Sequence, residues 1–283
     1  AILNGKKEIL RLVIANIAGS VFSLIITGIL AIKFQLYGAL VALSIYQSVA
    51  FLVTLFLCYK ANWFKFSYLF GKIDKVIAKK FEAFALMALV SALCVPLSQI
   101  VIRSYLTHEF GLNYAGYWEA MVRLSAAYLM LVTTTLGVYY LPRLSELSNI
   151  HDIKKEVYLG YKFIFPLAIV GGFLVYVLRD WVIELLFSPS FLPMRDLFLW
   201  QMIGDALKIG SWILAYLMLS KAMTKLFITT EIIFSLSLII LTYISTYIFG
   251  FEGVSIAYLV NYAMYWIVMS VLVFKQLQEK DHA

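Results

Sequence analysis

Apolar residues fall along this chain in long blocks broken by short polar connections, and the blocks set its architecture. Windows of about 20 apolar residues, enough to cross a bilayer as a helix, lie at about 9–31, 37–59, 82–102, 114–141, 161–187, 197–219, 226–248 and 253–274. Lipid offers the backbone no hydrogen-bonding partner, so leucine-rich runs of this length satisfy themselves as helices. The pattern predicts an all-α polytopic membrane protein with eight transmembrane helices. Composition agrees: the chain is 63% hydrophobic and 14% charged, where a soluble domain would be about 45–50% apolar and about 25% charged.

The connections alternate in charge. One set carries Lys6, Lys7 and Arg11, then six lysines between Lys60 and Lys80, then Arg143, Lys154, Lys155 and Lys162, then Lys221 and Lys225, then Lys275 and Lys280. These are 17 of the 23 basic residues; the other set holds Lys33, Arg103, Arg179 and Arg195. Basic loops stay in the cytoplasm, which predicts a multi-pass protein with a cytoplasmic C-terminus. The same rule accounts for the net charge of +7 without a nucleic-acid partner. Cys58 and Cys94 lie in apolar helices and read as small buried residues.

Residues 60–81 form the longest connection, a basic cytoplasmic linker in which Trp63, Phe64, Phe66, Tyr68 and Phe70 interleave with lysines. That mixture suits a segment lying on anionic inner-leaflet lipids. The linker divides residues 1–59, a pair of helices, from residues 82–283, a six-helix bundle. The pieces echo one another. FQLYGALVA from Phe34 pairs with FGFEGVSIA from Phe249 at an offset of 215, which also maps Lys6 onto Lys221 and Thr27 onto Thr242. Transporters often contain such repeats. If each repeat holds six spans, the chain carries eight helices of twelve, and residues 1–59 are the last two helices of an N-terminal bundle that begins before Ala1.

Few charges sit at membrane depth, where each costs about 2.5–3.5 kcal/mol on insertion scales and faces a partner or a water-filled cavity. Asp205 and Lys208 lie in the span 197–219, at i and i+3, where they can neutralise each other. Glu119 and Arg123 lie one turn apart in the span 114–141, and the loop count brings Arg123 and Lys208 to comparable depth. Two cations in one cavity could hold a diphosphate. The pairs could instead be structural bridges, and both readings stay open here. Arg179, Asp180, Arg195 and Asp196 flank an outer turn as helix-end charges. Glu231 and Asn261 are single polar groups in the last two spans; Asn261 reads as a bond between helices. Thr133 to Thr135 read as threonines bonded to their own helix or to a neighbour. No His/Glu cluster, cysteine pair, Gly-rich phosphate loop or nucleophile elbow occurs. The sequence thus implies no metal, no cofactor and no catalytic residue.

Two stretches, GYWEA from Gly116 through TTTLGVYYLPRLSE at Thr133, and MRDLFLWQMIGDALKIG from Met194 with SKA at Ser220, resemble Wzx-type flippases of the polysaccharide-transporter branch of the MOP superfamily. The second is close to the pattern of the enterobacterial common antigen and O-antigen translocases. The resemblance implies a MATE-like fold of two six-helix bundles in the bacterial inner membrane. It implies translocation of an undecaprenyl-diphosphate-linked glycan from the cytoplasmic to the periplasmic leaflet. The polymerase and chain-length proteins of the same pathway would be partners. On this reading Arg123, Lys208, Asp205 and Glu119 line the substrate cavity, with Asp205 neutralising Lys208 when it is empty, and a proton on Asp205 or Glu231 couples transport to the gradient. A multidrug or cation antiporter of the same fold would need a cavity governed by carboxylates. An intramembrane glycosyltransferase or polymerase would need a large outer loop with clustered polar residues. Both stay as alternatives.

Overall fold

The computed structural model describes residues 8–59, 64 and 74–281, and these are helical apart from short turns. The helices are α1 (Ile9–Tyr59), α2 (Lys75–Phe110), α3 (Leu112–Thr135), α4 (Leu141–Glu146), α5 (Ile150–Val177), α6 (Arg179–Leu186), α7 (Phe198–Ser220), α8 (Thr224–Phe249) and α9 (Gly253–Asp281). The chain divides into two compact units that meet at Lys75 and Val76. Most of the expected linker falls outside the described residues; from Lys75 onward it is already the first turns of α2.

In the first unit the two expected spans are one helix broken at Gln35, whose φ of 50° and ψ of −132° are not helical. Gly38 sits so near the Leu30 carbonyl that a Cβ there would stand 1.9 Å from it. The second unit repeats this turn. Gly250 has φ 65° and ψ −148°, and a Cβ on Gly253 would stand 2.2 Å from the Ser245 carbonyl. The offset is again 215, so the echo read in the sequence extends to backbone geometry. Glycine meets the positive φ without cost at the second turn; Gln35 does not.

The second unit is built around α7. Its buried residues include Phe198, Met202, Asp205, Ile209, Ile213 and Leu217, and Gly204, Gly210, Leu214 and Met218 are buried between them. A helix enclosed on nearly all sides belongs at the centre of a bundle. Against it lie α5 and α9. By contrast α2, α5 and α8 keep apolar faces open, with Leu89, Val170 and Ile240 each more than half exposed, as lipid-facing helices do. Two glycines on α7 let α9 approach. A Cβ on Gly204 would stand 2.5 Å from the Tyr258 ring, and one on Gly210 would stand 2.9 Å from the Trp266 indole. Trp266 in turn donates to the Tyr161 hydroxyl at 2.8 Å, and Tyr161 donates to the Gly210 carbonyl at 2.8 Å.

Where α3 meets α4 the helix widens. Leu136–Tyr140 is a π turn in which the Leu141 N–H donates to the Leu136 carbonyl, five residues back. Pro142 follows at the start of α4; it has no N–H for the normal ladder, and a local rewinding is the usual response. The expected span 161–187 is displaced, since α5 runs from Ile150 to Val177 and α6 starts at Arg179. Its first turns are amphipathic, with Ile153, Val157 and Gly160 buried while Lys154, Lys155 and Tyr158 face outward. Their lysines alone suggest a connection, but the apolar positions at helical spacing make them helix. Thr133 and Thr135 bond the Met130 and Leu131 carbonyls of their own helix, at 3.2 and 2.9 Å.

Side-chain contacts sort the helix ends. Lys221, just past α7, donates to the Leu144 carbonyl at 2.7 Å and to the Leu147 carbonyl, a favourable place for a cation at a helix C-terminus. The α4–α5 and α7–α8 connections therefore share one end. At the other end the rings of Phe110, Tyr114, Tyr117, Phe191 and Phe251 cluster, with centroids 4.8–6.5 Å apart. Arg195 there pairs with Asp180 at 3.0 Å.

Candidate functional site: a polar cavity beside the central helix

On α7, Gln201, Asp205, Lys208 and Trp212 recur at i, i+4, i+7 and i+11 and so form one stripe. The stripe is polar inside an otherwise apolar helix, and each member is met differently. Gln201 Nε2 donates to Ser125 Oγ of α3 at 3.3 Å, and Ser255 Oγ of α9 donates to Gln201 Oε1 at 3.4 Å. Asp205 is 0% exposed. Its carboxylate accepts the Tyr128 hydroxyl at 2.9 Å and the Tyr258 hydroxyl at 2.8 Å.

Lys208 does not pair with Asp205. Among the described residues no carboxylate stands within 4.0 Å of its ammonium. Nζ lies instead 4.9 Å from the Trp212 ring centroid, 5.5 Å from Tyr262 and 5.7 Å from Tyr258. Three ring faces around an ammonium attract it through their quadrupoles, each contact worth about 0.5–2 kcal/mol as water is removed. Tyr258 joins the two charges, giving its hydroxyl to Asp205 and its face to Lys208, while Gly204 lets its ring rest on α7.

This stripe borders a cavity of about 240 Å3. Ser98 and Gln99 of α2, Trp118 and Ser125 of α3, Glu231 and Phe234 of α8, and Asn261, Tyr262 and Tyr265 of α9 contribute to its wall, as do Lys208 and Trp212. Among the described lining residues, Lys208 and Glu231 carry charge. Asp205 sits behind the wall, screened by its two tyrosines.

Arg123 and Glu119 are elsewhere. Glu119 accepts from Arg123 Nε at 3.0 Å and from Arg103. The Arg123 side chain is 78% exposed, and neither residue lines the cavity. Expecting Arg123 and Lys208 in one cavity overlooked Arg103, which draws Glu119 into a bridge between α2 and α3. Of the expected site residues, the structure brings together Lys208 and Glu231, with Asp205 adjoining. Sequence reasoning missed the ring cage and misplaced Asn261, whose Oδ1 is buried with no partner. A signal was present: Tyr258, Asn261, Tyr262 and Tyr265 recur at i, i+3, i+4 and i+7, and Trp212 lies one turn from Lys208.

No protein-family model matches the chain. The lipid III flippases of Escherichia coli (strain K12) and Shigella flexneri are each 33% identical to it over 257 residues, 88% of this chain and 62% of theirs. The chain thus spans about three fifths of the length of these relatives. Among solved structures, an outward-facing multidrug resistance MATE family transporter of the MOP superfamily superposes with a TM-score of 0.82 at 14% identity, covering 100% of this chain and 65% of that one. The Vibrio cholerae MATE transporter VcmN in its bent form gives 0.78 at 16% identity, covering 99% and 65%. The chain is thus similar to the lipid III flippases along most of its own length, and its all-helical fold is that of the MATE transporters.

Proposed function

We propose that this chain works in a flippase that carries a lipid-linked oligosaccharide across the bacterial inner membrane. The observation that carries the reading is the 33% identity to lipid III flippases along 88% of the chain. The cavity supports it, since an ionisable group at membrane depth faces a partner or a water-filled space, and Lys208 borders such a space. The finer reading is an undecaprenyl-diphosphate-linked repeat unit, of O-antigen or enterobacterial common antigen type, moved from the cytoplasmic to the periplasmic leaflet by alternating access. Its further partners would be anionic inner-leaflet lipids and the polymerase and chain-length proteins of the pathway. The MATE neighbours, at 14–18% identity, share the fold, and that likeness alone does not argue for drug export. Coupling to the proton gradient would fall to Glu231 on the cavity wall, with Asp205 behind it; a protonophore that left flipping unchanged would remove that part.

Loss of the gene should trap lipid-linked repeat units on the cytoplasmic leaflet, and the trapped glycan would name the cargo. Lys208→Glu places a second carboxylate on the wall beside Glu231, so it should cut flipping in proteoliposomes at least about tenfold. Undiminished flipping by that variant would remove the cavity from the mechanism. Export of cationic dyes without glycan movement would replace the reading with drug antiport.

A further inference from the structure

A lysine ammonium rides on a long, flexible stem and has no preferred direction of its own. Lys208 has been given one. Its Nζ faces the rings of Trp212, Tyr262 and Tyr258 and borders the cavity, with no hydrogen-bond acceptor among the described residues. Ring faces hold a cation without using its N–H groups, so the donors are left for the space in front.

The rings are in turn held by Asp205, which divides its two oxygens. Oδ2 accepts the Tyr128 hydroxyl at 2.9 Å and Oδ1 accepts the Tyr258 hydroxyl at 2.8 Å. Tyr128 belongs to α3 and packs on α5, where a Cβ on Gly171 would stand 3.4 Å from its ring. The carboxylate is thus fixed through one oxygen and fixes Tyr258 through the other. Tyr258 lies in the space that Gly204 leaves on α7 and meets Tyr262 edge-on, with centroids 4.7 Å apart and planes at 64°. Contacts therefore run from Tyr128 through Asp205 and Tyr258 to Tyr262, and they end on Lys208. Packing alone would seat a phenylalanine at position 258. A hydroxyl and a carboxylate with 0% exposure both give up water there, a cost that is met only by the bond between them.

We propose that Asp205 is a positioning residue: through Tyr258 it holds the ring cage that aims the Lys208 ammonium into the cavity, and it does not act by cancelling the lysine's charge. The proposal rests on the flippase reading for what Lys208 meets in the cavity, and on these contacts for how Lys208 is aimed.

The test uses the protein in nanodiscs with its lysines isotope-labelled at Cε, and follows the Lys208 NMR signal, assigned by its loss in Lys208→Arg. Ring currents in the cage should shift that signal upfield of the other lysines. Tyr258→Phe keeps both the ring and the carboxylate but cuts the bond between them, and should move the signal toward the other lysines. Asp205→Asn removes the charge but keeps an acceptor, and should leave the signal upfield. Asp205→Leu removes both and should match Tyr258→Phe, with melting curves showing that the variants fold. A Lys208 signal among the other lysines in the unaltered protein would overturn the cage. A signal unchanged by Tyr258→Phe, or displaced by Asp205→Asn, would overturn the positioning role in favour of packing or of charge. Flipping in proteoliposomes is measured on the same variants, with the lipid-linked repeat units trapped in cells that lack the gene. Tyr258→Phe should raise the concentration at half-maximal rate about three- to fivefold, the weight of one ring contact, and Asp205→Asn by less than about twofold. No flipping by the unaltered protein, with the cage signal intact, sinks the flippase reading alone; flipping with no upfield signal sinks the positioning alone.

Discussion

Asp205 gives its hydrogen-bonding capacity to two tyrosines rather than to the lysine one turn away, and this decides what its replacement should do. A carboxylate with 0% exposure loses several kcal/mol of hydration, which the Tyr128 and Tyr258 hydroxyls partly return. Asp205→Asn keeps an acceptor for one of them and should lower stability by about 1 kcal/mol. Asp205→Leu strands both hydroxyls in the interior at about 1–3 kcal/mol each, so its melting temperature should fall well below that of the Asn variant. Equal losses in the two would mean that attraction to Lys208, not hydrogen bonding, is what Asp205 supplies. The spacing of Asp205 and Lys208 was plain in the sequence, but their partners were not. Those partners come from α3 and α9, and i,i+3 spacing says only that two side chains share a face, not that they face each other.

At the scale of the helices, close approach of α9 to α7 positions the cage. Gly204→Ala would place a methyl 2.5 Å from the Tyr258 ring and 3.3 Å from the Leu259 Cα. The helices would have to part or the ring turn away, at about 1–3 kcal/mol. Gly116→Ala on α3 meets nothing within 4 Å and should gain up to about 1 kcal/mol from helix propensity. Melting curves of the two variants should therefore move in opposite directions; a shift the same way would deny Gly204 its packing role. Helices were the legible part of this fold, because lipid leaves a 20-residue apolar run few other conformations. Their ends were less so. The lysines of 150–162 looked like a loop, yet Ile153, Val157 and Gly160 lie at helical spacing on one face and are buried. The turn at Gly250 was legible from its echo at Gln35, since a reversal this tight constrains backbone and sequence together.

For the molecule as a whole, the alternation of charge and the packing of side chains report the same division by independent means. Lys221 reaches the carbonyls of Leu144 and Leu147, so two basic connections lie together. The rings of Phe110, Tyr117, Phe191 and Phe251 gather at the opposite end, where Arg103 and Arg123 share Glu119. Packing fixes which connections share an end but not which end faces the cytoplasm. We propose the orientation from the count of basic residues, because translocating a lysine-rich loop opposes the membrane potential by about 2.3 kcal/mol per charge per 100 mV. Ser148 and Asn113 lie at the two ends, and both are exposed. With Cys58 and Cys94 replaced by alanine, Ser148→Cys should react with a membrane-impermeant maleimide only after the cells are opened. Asn113→Cys should react in intact spheroplasts. The reverse pattern would turn the molecule over and place the Lys221 end outside, leaving the cavity beside Lys208 where it is but exchanging the leaflets that bound it. A cargo taken up at the cytoplasmic leaflet would then enter from the aromatic end, so the labelling result fixes the direction in which any flipping must be read.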